Sequence, residues 1–259
     1  NLRESIFKGE LASDKPELIR YGVSVDDVLR LGLPCGGSLE VFIEPIAPQQ
    51  AALYTKLAEL ISERILVSRT VNKHTGDASI DAVEQFQPLI SSSDELVHTY
   101  GPSFQLLLIG AVQVAWYLAE MAQALDYEVR ICDPRKELVD NAPSMGTSVV
   151  AAVPDDWLRS LRLDQHTAVI ALCHDPRIDD MALMEALPSN AFYVGAMGSM
   201  RTSHSRRERL LQLDLSEADI NKLHAPVGLA IGSKTPPEIA IAILAELTSL
   251  RAGLRQESP

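Results

Sequence analysis

Apolar positions recur along this chain with two different periods, and the way they alternate divides it near residue 100. The first part is mixed. Glu17 to Tyr21 fits a short strand, and Leu39 to Ile43 alternates as Leu-Glu-Val-Phe-Ile, a strand that Pro45 stops. From Gln49 to Glu63 the residues Leu53, Leu57, Leu60 and Ile61 fall at helical spacing and predict an amphipathic helix. Ile65 to Val71 is rich in β-branched residues and predicts another strand. The polar stretch from Asn72 to Asp94 predicts no regular element.

Beyond residue 100, strand and helix patterns take turns. Gln105 to Ile109 is apolar through its centre, as in a strand buried on both faces. Further strands are expected at Glu128 to Cys132, Val149 to Val153, Ala168 to Cys173 and Ala191 to Val194. Helices are expected at Ala111 to Ala124, Asp179 to Ala186, Arg201 to Leu213 and Pro236 to Leu250. The last opens with Thr235-Pro-Pro-Glu238: a capping hydroxyl, prolines in the first turn, and a glutamate three residues past the cap. This alternation predicts parallel βαβ units. The expected class is α/β: a smaller mixed N-terminal domain over residues 1–100 and a C-terminal Rossmann-like, doubly wound parallel sheet over 101–259.

Composition narrows the function. A net charge of −12 and a pI near 4.9 argue against a duplex nucleic-acid binder, while leaving room for a local basic pocket. Three cysteines without a C-x-x-C pair exclude a disulfide scaffold and a four-cysteine zinc site, and suit a reducing cytoplasm. No segment is apolar for long enough to span a bilayer, and no signal-peptide pattern is present. The chain begins at Asn1 rather than Met, so the N-terminal domain is expected to be cut short at its start.

Five stretches can carry chemistry. After the first Rossmann strand comes Gly110-Ala-Val112-Gln113-Val-Ala115, at the place of a dinucleotide fingerprint, with Asp133 where an acid can hold a ribose hydroxyl. Its second glycine is replaced by Val112, whose side chain is expected where phosphates would lie. A turn that binds no dinucleotide is therefore the competing reading. Cys35-Gly36-Gly37 sets a thiol among free backbone N–H groups. It can ligate a soft metal, carry sulfur or attack an electrophile; the plain alternative is a small buried residue in a turn. Cys173-His174-Asp175, followed by Asp179 and Asp180, falls at the carboxyl edge of the sheet, where His174 can donate to a ligand or shuttle a proton. The plain reading of Asp175-Pro176 is turn chemistry.

Gly195-Ala-Met-Gly198-Ser199-Met-Arg201 resembles an anion-cradling turn opening a helix, with Arg206, Arg207 and Arg209 behind it. Arg201 in a first helical turn opposes the helix dipole, and a bound anion would relieve that cost. A solvated face paired to acids such as Glu208 competes with this reading. His224-Ala-Pro-Val-Gly228 leads through Gly232 and Lys234 into the last helix, with His224 a candidate ligand contact. Cys132 is expected in the core.

Together and in this order, these motifs resemble the XdhC/CoxI family. They are Cys-Gly-Gly…Glu-Pro (35 to 45), Gly-Ala…Val-Ala (110 to 115), Asp-Pro-Arg (133 to 135), His-Asp (174 to 175), Gly-Ala-Met-Gly-Ser…Arg (195 to 201) and His-Ala-Pro-Val-Gly…Glu-Ile-Ala (224 to 240). The resemblance implies an accessory protein, a chaperone more than a catalyst. Such a protein binds the molybdenum cofactor (molybdopterin), protects it during sulfuration with a cysteine desulfurase, and delivers it to a molybdenum hydroxylase such as xanthine dehydrogenase. It also implies a homodimer. On this reading Gly36, Gly37, Gly110, Asp133, His174, Asp175, Gly195, Gly198, Ser199, Arg201, His224 and Gly228 contact the cofactor, and Cys35 approaches molybdenum. Family members carry Gly and His where this chain has Val112 and Gln113, which counts against a nucleotide at the first turn. Two alternatives stand beside it: an NAD(P)-dependent oxidoreductase using Gly110 and Asp133, and an interaction protein that kept the fold without the ligand.

Overall fold

The computed structural model describes Lys8, residues 14–21 and residues 39–256. The chain divides into two compact units at Gly101–Pro102.

In the first unit, β1 (Glu17–Tyr21) and β2 (Leu39–Ile43) pair antiparallel, with Glu17 opposite Ile43. A short 3-10 turn leads into α1 (Ala51–Ser62), which packs Leu57 inward. A four-stranded antiparallel sheet follows, in the order β4 (Ala78–Val83), β3 (Leu66–Asn72), β6 (Glu95–Tyr100), β5 (Ile90–Ser91). The polar stretch after Asn72 is thus organised after all. The Asn72 side chain accepts from the N–H groups of His74 and Thr75, Gly76 turns at φ +80°, and the chain returns as β4. β4 and β6 mix polar with apolar residues because they are partly exposed, so hydrophobic pattern alone misses them. Arg69, only 5% exposed on β3, is ion-paired to Glu44 and donates to Tyr54 Oη at 2.7 Å.

The second unit is the doubly wound sheet that the alternation predicts. Its strands are β7 (Gln105–Ile109), β8 (Glu128–Cys132), β9 (Ser148–Val150), β10 (Thr167–Ala171), β11 (Tyr193–Ala196) and β12 (Leu223–His224). All neighbours are parallel, in the spatial order β9-β8-β7-β10-β11-β12, the dinucleotide-fold order. The helices are α2 (Gln113–Gln123), α3 (Lys136–Asp140), α4 (Pro154–Arg159), α5 (Pro176–Ala186), α6 (Met200–Gln212), α7 (Glu217–Asn221) and α8 (Pro236–Gln256). Strand alternation sorts the core into two layers. Leu106 and Leu108 of β7 pack with α2 and α8, while Leu107 and Ile109 pack with α4, α5 and α6.

Some strand limits move. The third strand ends at Val150, because Pro154 with Asp155 and Asp156 starts a helix instead. Cys132 is fully buried, as its apolar setting suggests.

Leu108 is fully buried among Ala115, Leu118 and Ile243. Leu108→Ala should therefore destabilise the second unit by about 3 kcal/mol. Denaturant titration followed by tryptophan fluorescence, which Trp116 and Trp157 report, measures this; a loss below about 1 kcal/mol would contradict the packing.

Candidate functional site at the carboxyl edge of the sheet

β7 lies between β8 and β10, so the chain reverses its winding there and opens a crevice above these strand ends. Gly110 leaves β7 with φ +118°, and a Cβ on it would fall 2.8 Å from Cys173 Sγ and 3.1 Å from Cys173 N. A glycine is needed because the first turn and the Cys173 loop touch. Val112 caps α2 without offering a side-chain acceptor, and its side chain packs half-buried against the α2–α8 core.

Asp133 is fully buried and fully engaged. Its carboxylate accepts from Ala111 N–H (2.8 Å) and from Arg135 N–H (2.9 Å), Nε (2.9 Å) and Nη2 (2.7 Å). Burial works to raise this carboxyl, but the Arg135 and Ala111 donors outweigh it and hold it below the usual range. The acid expected to hold a ribose hydroxyl is spent inside the protein, locking the β7 turn to the end of β8. Arg135 Nη2 also reaches Cys173 Sγ at 3.6 Å. Burial pushes the thiols of both Cys132 and Cys173 up to about 12, so neither is a thiolate at neutral pH.

His174 presents an exposed imidazole on left-handed backbone at φ +60°. Asp175 is the N-cap of α5, accepting from Arg177 N–H at 3.0 Å and pairing with its guanidinium at 2.8 Å. The turn chemistry of Asp175-Pro176 is what its side chain performs. Asp179 accepts from Cys173 N–H at 3.0 Å and from Arg206 Nη2 at 3.0 Å. Arg206, 1% exposed, also donates to Asp180 (3.2 Å) and Met197 O (3.1 Å).

The arginine-rich segment expected to attract an anion is therefore turned largely inward. Arg209 pairs with Asp180 at 2.8 Å, and Arg207 donates to Ile220 O and Leu223 O at 2.7 and 2.6 Å. Glu208 pairs instead with His204, at 3.4 Å. Arg201 alone of this group stays exposed, without a partner among the described residues.

The glycines near that segment do different work. A Cβ on Gly195 would strike Val227 Cγ2 at 2.6 Å and Tyr193 Cε1 at 2.7 Å, so Gly195 serves packing. Gly198 sits above Thr202, and Ser199 caps α6 by accepting from Thr202 N–H at 3.1 Å. Gly228, at φ +91°, lies 3.0 Å from the α8 backbone when given a Cβ. His224 pairs in register with Gly195, but its ring stacks on Tyr193 and its Nδ1 meets Glu246 at 2.7 Å. Glu246 also accepts from Tyr193 Oη (2.6 Å) and Gly228 N–H (2.7 Å). Cys35, Gly36 and Gly37 lie outside the described residues.

Glu246, Tyr193 and Arg135 thus shape the site without having been singled out by sequence. Arg135 had a signal in the Asp-Pro-Arg triplet. Glu246 had none, because a lone glutamate on an amphipathic helix looks solvated. Among the described residues, no three His, Cys, Asp or Glu side chains gather to hold a metal. Among those same residues the edge presents backbone donors, one free guanidinium and one free imidazole, which suits binding an anion more than covalent chemistry.

Two outcomes follow from these environments. The Asp133 carboxyl titrates lower folded than its unfolded value of about 3.9, so its contribution is complete above that value and drains as pH falls through the folded one. Asp133→Asn should flatten the acid limb of a stability-against-pH curve; an unchanged limb would show that the carboxylate is not held as described. Cys132 and Cys173 should resist iodoacetamide at pH 7 until the protein unfolds, and mass spectrometry of native labelling checks this.

Residues 106–247 match the model of the XdhC Rossmann domain. Over 99 residues the chain is 35% identical to the molybdenum cofactor insertion chaperone PaoD of Escherichia coli (strain K12), a stretch covering 38% of this chain and 31% of that protein. It is 23% identical over 258 residues to a probable xanthine dehydrogenase subunit of Bacillus subtilis (strain 168), covering 90% of this chain and 76% of that one. The crystal structure of a protein from Bacillus halodurans, described as a xanthine dehydrogenase, has the same fold, with a TM-score of 0.74 at 22% identity over 100% of this chain and 81% of the other. The stretch shared with PaoD thus spans under a third of that relative's length. With more than half of its residues matched by the family's own Rossmann domain, the chain belongs to the XdhC family.

Proposed function

We propose that this chain is an accessory protein that binds the molybdenum cofactor in its molybdopterin form, protects it during sulfuration and delivers it to a xanthine dehydrogenase-like molybdenum hydroxylase. A cysteine desulfurase is the sulfur-donating partner, the protein acts as a homodimer, and the setting is a reducing cytoplasm. Family membership and the local identity to PaoD support the reading. The observation that carries it is the free Arg201 beside Gly198 at the start of α6, in a chain of net charge −12.

The residues present fit an anionic, phosphorylated group. Gly198, Ser199 and Arg201 would hold its charged end, and the exposed imidazole of His174 would serve as a hydrogen-bond partner. Cys35 would meet the metal side, as a soft thiolate suits molybdenum. Once in its client, the cofactor supplies the molybdenum centre for hydroxylation. This chain's residues bind and shield it. The nicotinamide alternative loses its ribose acid, because all of Asp133's bonding is internal.

Mixing the purified chain with released molybdenum cofactor should give retention on gel filtration, then activity when an apo-hydroxylase is added. Cofactor that neither co-elutes nor transfers would overturn the proposal. Arg201→Ala and Cys35→Ser should each weaken retention by about tenfold. Undiminished retention in both variants would remove these residues from the site.

A further inference from the structure

The turn before α6 has donors to spare. The backbone N–H groups of Gly198, Ser199, Met200 and Arg201 make no hydrogen bond among the described residues. They stand at the positive end of a thirteen-residue helix. Beneath them, Ser203 is 2% exposed, and its Oγ has no hydrogen-bond partner. That oxygen lies 3.8 Å from the point where a Gly198 side chain would begin, in a space that Thr202 Cβ and Cγ2 border at 3.3 Å. A buried hydroxyl without a partner is destabilising, and a ligand acceptor would offset that cost.

The acids near this turn are already taken: Asp179 and Asp180 by Arg206 and Arg209, Glu208 by His204. Thr202 Oγ1 is engaged with Ser199 Oγ at 2.9 Å. What remains is a set of donors without partners among the described residues, with one exposed cation, Arg201, in the same turn. A tetrahedral oxyanion with three oxygens matches that set better than a planar carboxylate with two.

We propose that the α6 N-terminus is a seat for a phosphomonoester, in which Ser203 Oγ supplies the buried hydrogen bond and Arg201 the charge. The inference rests on the chaperone reading for its biological ligand and names the group of that ligand that is recognised.

The test uses the full ¹⁵N-labelled chain, titrated with inorganic phosphate and with methyl phosphate at constant ionic strength set by chloride. The expected result is saturable shifts at the amides of Gly198 to Ser203 with both phosphates. Ser203→Ala and Arg201→Gln should each weaken binding by about tenfold. Ser203→Ala should leave the Tm unchanged or raise it, since it removes an unpartnered hydroxyl. Shifts produced equally by chloride, or equal affinities in wild type and both variants, would overturn the site. Binding of inorganic phosphate without methyl phosphate would overturn the monoester assignment. Cofactor retained by a chain that does not respond to phosphate overturns this inference and spares the chaperone reading; a phosphate response without cofactor retention does the reverse.

Discussion

Arg206 can enter the interior of the Rossmann unit because Asp179, Asp180 and Met197 O take up donors on all three of its nitrogens. An ion buried without such partners costs several kcal/mol, so the guanidinium and its acids must be placed together or not at all. The consequence is geometric. Asp179 also holds Cys173 N–H, so one charge network joins the loop after β10, the helix α5, the turn after β11 and the helix α6. The shape of the sheet's carboxyl edge depends on it. It also absorbs the negative charge nearest the β11 turn, which leaves the start of α6 positive in a strongly acidic chain.

The same device recurs along that edge. Asp133 holds Ala111 N–H after β7, Asp179 holds Cys173 N–H after β10, and Glu246 holds Gly228 N–H after β12. Each carboxylate is balanced by a second donor: Arg135, Arg206 and His224 respectively. A buried carboxylate fixes the backbone of its loop at the cost of its own availability. The acids that look functional are therefore structural, and the crevice is left with donors. Close packing does the rest, since Gly110, Gly195 and Gly228 each lie where a side chain would collide with a neighbouring loop or helix.

Much of the fold was legible in the sequence. β7 and β10 are apolar on both faces, which only a sheet covered by helices on each side can use, and the alternating pattern between them marks the crossovers. The first unit was less legible. β4 and β6 carry mixed polar and apolar residues because they are partly exposed, and it is the Asn72–Gly76 turn, not the pattern, that commits the chain to return.

The sequence by itself determined the α/β class, the place of the loops after β7 and β8, and the motif order that marks the XdhC family. It could also locate the concentration of arginines after Gly198. It could not say which of them face out. That choice depends on partners distant along the chain: Asp180 lies 26 residues from Arg206, and Leu223 O lies 16 from Arg207. Hydrogen-bond partners decided it, burying Arg206, tying Arg207 and Arg209 half-buried to their acceptors, and leaving Arg201 exposed. For the same reason only the tertiary structure could turn Asp133 from a candidate ribose contact into a clamp, and bury Ser203 Oγ without a hydrogen-bond partner among the described residues.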